Sequence, residues 1–226
     1  MGDMTLTEME TEIRANLGGR TDLDSRLVTF INWSQTAIAR RGNFKELRNY
    51  VYGTYTVADQ EYITLPSGTK NLLAIVLLDG VESRKLTYVP IREFYRYIPK
   101  PDEYTTRKPT HYTLFSTTVR LYPVPDDAYE LYFYRDKWPT ALSGASDTSD
   151  IMSLDEVLVA YATSRAYRSL KMMEPSLYWK GIGDEILNEA LKTDKGPFAD
   201  EEILPGYALS TGGPVYYEDP LTKRMP

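Results

Sequence analysis

The hydrophobic period of this chain changes twice, and that change limits its fold more than any motif does. Near the N-terminus apolar side chains recur at helical spacing, first Leu6, Met9, Ile13 and Leu17, then Leu27, Phe30, Ile31, Ala37 and Ile38. From Tyr50 the period is two, through "YVYGTYTV", "EYITL", "LLAIVLLDGVESRKLTYV", "HYTLFSTTVRLYPV" and "DAYELYFYR". After Asp150 the helical spacing returns with Leu154, Val157, Leu158 and Tyr161, then Ile182, Ile186, Leu187, Ala190 and Leu191. Tyrosine follows the same division: thirteen of the nineteen lie between Tyr50 and Tyr134, where a pleated, half-buried surface accommodates aromatic rings best.

Punctuation supports the segments. Thr7 with Glu10, or Thr5 with Glu8, makes a capping box for the first helix, and Gly18-Gly19 ends it. Asp22 and Asp24 are caps for the second, which ends at Gly42-Asn43 behind Arg40 and Arg41. Asp79-Gly80 predicts a hairpin turn. Ser153 with Glu156 caps a third helix, and Pro175-Ser176 opens a fourth. Gly181 and Gly183 inside that last helix each cost about 1 kcal/mol relative to alanine, which marks a tight contact or a bend.

The order predicts an α+β fold. The N- and C-terminal helical pairs, residues 1–49 and 151–195, are expected to close a four-helix bundle. An antiparallel β-sandwich or barrel is inserted at 50–142, a polar linker, "SGASDTSD", spans 143–150, and 196–226 is an extended C-terminal arm. The stretch "VRLYPVPDDAYELYFYRDKWP", residues 119–139, reads as a hairpin with a proline-aspartate turn. Its strand alternation puts Tyr129, Leu131 and Phe133 on one face and Glu130, Tyr132 and Tyr134 on the other.

Composition excludes several chemistries. There is no cysteine, hence no disulfide, thiolate metal site or cysteine nucleophile. No apolar run approaches the ~20 residues of a membrane span, and "MGDMTLTEMETEIRANLGG" lacks the basic-then-apolar pattern of a signal peptide. The net charge of −6 arises wholly after residue 137, and no linear window carries the basic footprint of a nucleic-acid binder. His111 is the only histidine and stands in a strand, so a triad or a zinc site has little to draw on. Asp126 and Asp127 form a carboxylate pair, but their place in "PVPDDAY" makes them turn residues before they are an acid and a base. Neither a GxGxxG nor a Walker A loop is present. Catalytic residues, metal ligands and cofactor sites are therefore expected to be absent, and the protein is read as no enzyme.

The segment "LVTFINWSQTAIARRGNFKELRNYVYGTYTV", the run "KPTHYTLFSTTVRLYPVPDDAYELYFYRDKWPTAL" and the helix "LDEVLVAYATSRAYRSL" occur here in an order that resembles the phage head-to-tail adaptor proteins, also called connector or head-completion proteins. The resemblance covers roughly residues 5–193. It implies a structural virion protein of the neck, assembled in the host cytoplasm. It implies a ring, typically of about twelve copies, on the portal, with tail or nozzle proteins below and double-stranded DNA passing through as cargo. No cofactor and no membrane belong to that picture. The expected contact residues are Tyr132 and Tyr134 on the sheet, and Phe198, Tyr207, Tyr216 and Tyr217 along the arm. Two other readings stay open at this point: a different tail or baseplate protein, and a carbohydrate-binding module using the tyrosine-rich face.

Overall fold

The computed structural model describes residues 4–80, 82–151 and 154–194. Helix α1 (Leu6–Asn16) starts at Thr5, whose hydroxyl accepts the Glu8 backbone N–H while the Glu8 carboxylate accepts the Thr5 N–H. Of the two capping boxes the sequence offers, this is the one that forms. Helix α2 (Asp24–Arg41) starts without a side-chain cap. Asp22 and Asp24 instead pair with Arg20 and Arg14.

Two four-stranded sheets follow, in the orders β1-β8-β3-β4 and β2-β7-β6-β5. The first combines β1 (Arg48–Tyr55), β3 (Thr69–Asp79), β4 (Glu82–Lys85) and β8 (Glu130–Lys137). The second combines β2 (Tyr62–Thr64), β5 (Thr87–Tyr88), β6 (His111–Phe115) and β7 (Thr118–Tyr122). Their inner faces share one apolar core, to which Ile63, Ile75, Leu77, Tyr112, Val119, Leu121, Leu131 and Phe133 contribute. The two sheets therefore form a sandwich. It is not wholly antiparallel, because β5 pairs with β6 in parallel. The short helix α3 (Ile91–Tyr97) makes that parallel return possible, and its Phe94 is buried with Val89 and Ile98. The β3–β4 hairpin turns after Asp79 as expected, with Gly80 at φ 54°.

Residues 119–139 do not form a hairpin. Strand β7 pairs with β2 and β6, whereas β8 lies between β1 and β3 in the other sheet. "PVPDDAY" is thus a crossover between sheets. Buried Thr56 holds it: its hydroxyl donates to the Asp127 carbonyl at 2.7 Å and accepts the Tyr129 N–H at 2.8 Å.

The expected four-helix bundle is also not what forms. Helix α4 (Asp155–Ser169) is a hub against which α1, α2 and α5 (Met173–Asp194) each pack. Every residue from Val157 to Ser164 is buried, as is Ala166, so α4 has no solvent stripe of the kind a corner helix of a bundle keeps. Ala160, Ala162, Ser164 and Ala166 let its neighbours approach closely from several sides. Gly183 of α5 shows how closely: a Cβ there would lie 2.6 Å from the Tyr161 ring. Helix α5 opens at Met173, two residues before Pro175. Leu154 occupies the cap position of α4, and the expected cap Ser153 lies outside the described residues.

A half-buried cation ties the helical layer to the sandwich. The Lys70 ammonium of β3 donates to the Ala39 and Gly42 carbonyls at the end of α2. Within the sandwich, the Arg135 guanidinium, held below its usual pKa by burial, donates to the Pro66 and Ser67 carbonyls and to Asn49. Residues 143–150 fold back on the first two helices: the Leu6 N–H donates to the Asp147 carbonyl, and the Ser149 hydroxyl to Gln35.

Candidate functional site

The outer face of the β1-β8-β3-β4 sheet carries the tyrosines. Alternation along β8 buries Leu131 and Phe133 and leaves Tyr132 and Tyr134 half-buried on the opposite face. Strand β1 sets Tyr50 directly across from Tyr134. Their rings stack at 4.7 Å, and Tyr52 meets Tyr132 edge-on at the same distance. Gly53, at φ 76°, lies in the register shift between Val51 and Thr54. This bulge returns Tyr55 to the tyrosine side, opposite Glu130. Tyr50, Tyr52 and Tyr55 remain more than half exposed, at 57%, 60% and 55%. On the other flank of β8, Ala74 and Val76 of β3 lie opposite Tyr134 and Tyr132.

This face offers contact area rather than reactivity. Stacked and edge-to-face aromatic pairs contribute about 0.5–1.5 kcal/mol each beyond burial, and large rings order at little rotamer cost. The Tyr132 phenol is shifted above its ordinary pKa by desolvation, with Glu130 adding to it, and so stays protonated near neutrality. Each phenol can donate or accept a hydrogen bond at the rim of an apolar patch.

Residues that the sequence singles out as possible chemistry each have a partner within the fold. His111 is buried in β6, with Nδ1 2.7 Å from the Thr110 hydroxyl. Asp127 accepts the Ala128 N–H at 2.7 Å, and Asp126 accepts the Tyr129 hydroxyl, which holds that phenol up to about 12. Both carboxylates shape the crossover. Among the described residues no three His, Asp or Glu side chains gather as metal ligands, and no helix is long and apolar enough to cross a membrane. Of the expected contact residues, Tyr132 and Tyr134 share the sheet face, whereas Phe198, Tyr207, Tyr216 and Tyr217 lie outside the described residues. The partners Tyr50 and Tyr52 were missed by sequence reasoning. The alternation of "YVYGTY" signals them, but only the strand order brings β1 beside β8.

No curated protein matches the chain. The profile of one family, described as the SU10 adaptor protein, matches residues 4–202, which takes in all the helices and strands described above. The chain therefore belongs to the SU10 adaptor protein family.

Proposed function

We propose that this chain is a structural virion protein that assembles as an adaptor ring between the portal and the tail of a phage, leaving a channel for double-stranded DNA. The observation that carries this reading is membership of the SU10 adaptor family over most of the chain. The exposed tyrosine face supports it, because a half-exposed, mutually stacked set of rings suits a protein partner that buries roughly 800 Å² per side. Aromatic residues of this kind anchor interfaces. The work is adhesive and geometric, with no catalytic step. A stacked pair covers one face of each ring, which weighs against a sugar platform and favours a flat protein surface.

In this reading the portal and the tail or nozzle proteins are the partners, and the site of action is the virion neck. The helical layer and the sandwich serve as separate contact units, and the segment 196–226 reaches a neighbouring subunit or the portal with Phe198, Tyr207, Tyr216 and Tyr217 as anchors.

Light scattering of the full chain with and without purified portal tests the proposal. The expected result is little association alone and a ring-sized species with portal. Replacing Tyr50 and Tyr132 together by serine should leave the folded spectrum unchanged and weaken that association at least tenfold. A full chain that never associates with portal, under conditions where portal itself is intact, overturns the reading.

A further inference from the structure

The chain is acidic as a whole, yet three helices gather cations around one pocket. Its volume is about 340 Å³, and Arg41, Arg165, Arg168 and Lys180 line it together with Tyr161 and Asp184. Arg165 and Arg168 stand three apart on α4 and so share a face. Arg41 is the last residue of α2, and Lys180 lies one turn before Asp184 on α5. Four cations and one carboxylate therefore line the same pocket. That carboxylate is already engaged: Asp184 takes hydrogen bonds from Arg41 and from the Tyr161 hydroxyl. Among the described residues, Arg165 and Arg168 have no carboxylate within ion-pair distance. Arg165 is half-buried over the Trp33 ring, with Arg168 as its repelling neighbour.

We infer that this pocket binds a phosphate group through Arg165, Arg168, Lys180 and Arg41. Like charges held together at a partly desolvated site raise the free energy of the empty state, and an anion removes that cost. Geometry selects phosphate over carboxylate. The donors come from three helices and so from different directions, which suits a tetrahedral ligand with oxygens on all sides. A planar carboxylate satisfies one guanidinium fork well and leaves the others without acceptors. A single water needs only about 10–15 Å³ of such a cavity, so there is room for a larger ligand. It accommodates one phosphate with its waters, or one phosphodiester unit of a strand. Free phosphate and a nucleic-acid backbone share this chemistry.

Calorimetric titration of the full chain in a phosphate-free, low-salt buffer separates the sources. One arm uses inorganic phosphate, a second a short single-stranded DNA, and a third a glutamate-rich peptide. Saturable binding of either phosphate probe supports the inference if Arg168→Gln with Lys180→Gln weakens it at least tenfold. These positions are exposed, so the variant should fold, and an unchanged melting temperature checks that it does. Binding of inorganic phosphate identifies a free-ion site, whereas binding of DNA alone identifies a backbone contact. No binding of either probe, binding that the variant does not weaken, or a peptide that binds more tightly than both overturns it.

Discussion

Alanine substitutions at Gly181 and Gly183, two residues apart in one helix, should change stability in opposite directions. Both glycines stand within α5, and either replacement removes backbone freedom from the unfolded chain, worth about 0.8–1.0 kcal/mol in a helix interior. At Gly181 a Cβ meets nothing within 4 Å. Gly181→Ala should therefore stabilise by about 1 kcal/mol. At Gly183 the same atom lies 2.6 and 2.7 Å from two carbons of the Tyr161 ring and 3.4 Å from the Ala160 methyl. The ring has little freedom to retreat, because its hydroxyl is bound by Asp184 and Arg41 and the side chain is buried. Overpacking of this kind costs about 1–3 kcal/mol. Set against the helix gain, Gly183→Ala should destabilise by up to about 2 kcal/mol. Urea unfolding of the full chain, with equal slopes for the two variants, measures both. In a Tyr161→Leu background the Gly183→Ala penalty should shrink, since the clashing ring is gone. A Gly183→Ala variant as stable as Gly181→Ala would refute the claim that α5 needs glycine to approach α4.

Three further outcomes are expected. Burial alone would raise the Asp150 carboxyl, but the Thr140 N–H at 2.7 Å and the Lys137 ammonium at 2.9 Å prevail and hold it below its usual value. A depressed carboxyl contributes stability that is present above the unfolded value of about 3.9 and lost as pH falls through the folded one, so urea midpoints should drop below about pH 4, and less steeply in Asp150→Asn. Lys70→Met should cost about 1.5–3 kcal/mol by equilibrium unfolding, because the ammonium is the charged donor to the Ala39 and Gly42 carbonyls. Asp127→Asn keeps an oxygen for the Ala128 N–H, so its association with portal in light scattering should match the unsubstituted chain; a loss with the fold intact would mean that the crossover carboxylate has a role beyond its turn.

Local signals predicted local structure well. The switch of period from 3.6 to two and back put the helices and strands in the right order, since burial of one face dictates spacing whatever the partner is. Two boxes with the same spacing competed at the first helix, and the choice was made from outside it. Thr5 bridges to Thr148, and the Leu6 N–H reaches the Asp147 carbonyl, so the segment before α4 fixes where α1 begins. The crossover failed for a related reason. Proline and aspartate describe how the chain bends, not which strand it meets next, and "PVPDDAY" serves an inter-sheet passage as readily as a hairpin. The aspartates were legible as turn residues; their partner Thr56 was not, being far away in sequence. The hub role of α4 had a visible trace in its alanines and serines, but a small residue says only that something comes close, not from how many sides.

The tyrosine face and the cationic pocket were hidden by the same limitation, and Tyr161 shows how one packing choice can create a site. Gly183 lacks a Cβ, so the Tyr161 ring can lie against α5. There its hydroxyl donates to Asp184, one residue further along the helix, and Arg41 completes the cluster from the end of α2. Burial, followed by the Asp184 hydrogen bond, pushes the phenol up to about 12, so it remains a donor near neutral pH. The carboxylate is thereby occupied by groups of its own fold and is not available to neutralise Arg165 and Arg168. A linear charge count registers one more acidic residue at position 184. The folded chain uses that residue internally and leaves an excess of positive charge in the pocket beside it. An acidic protein can thus carry a basic site, because what faces solvent is decided by which charges the packing has already paired.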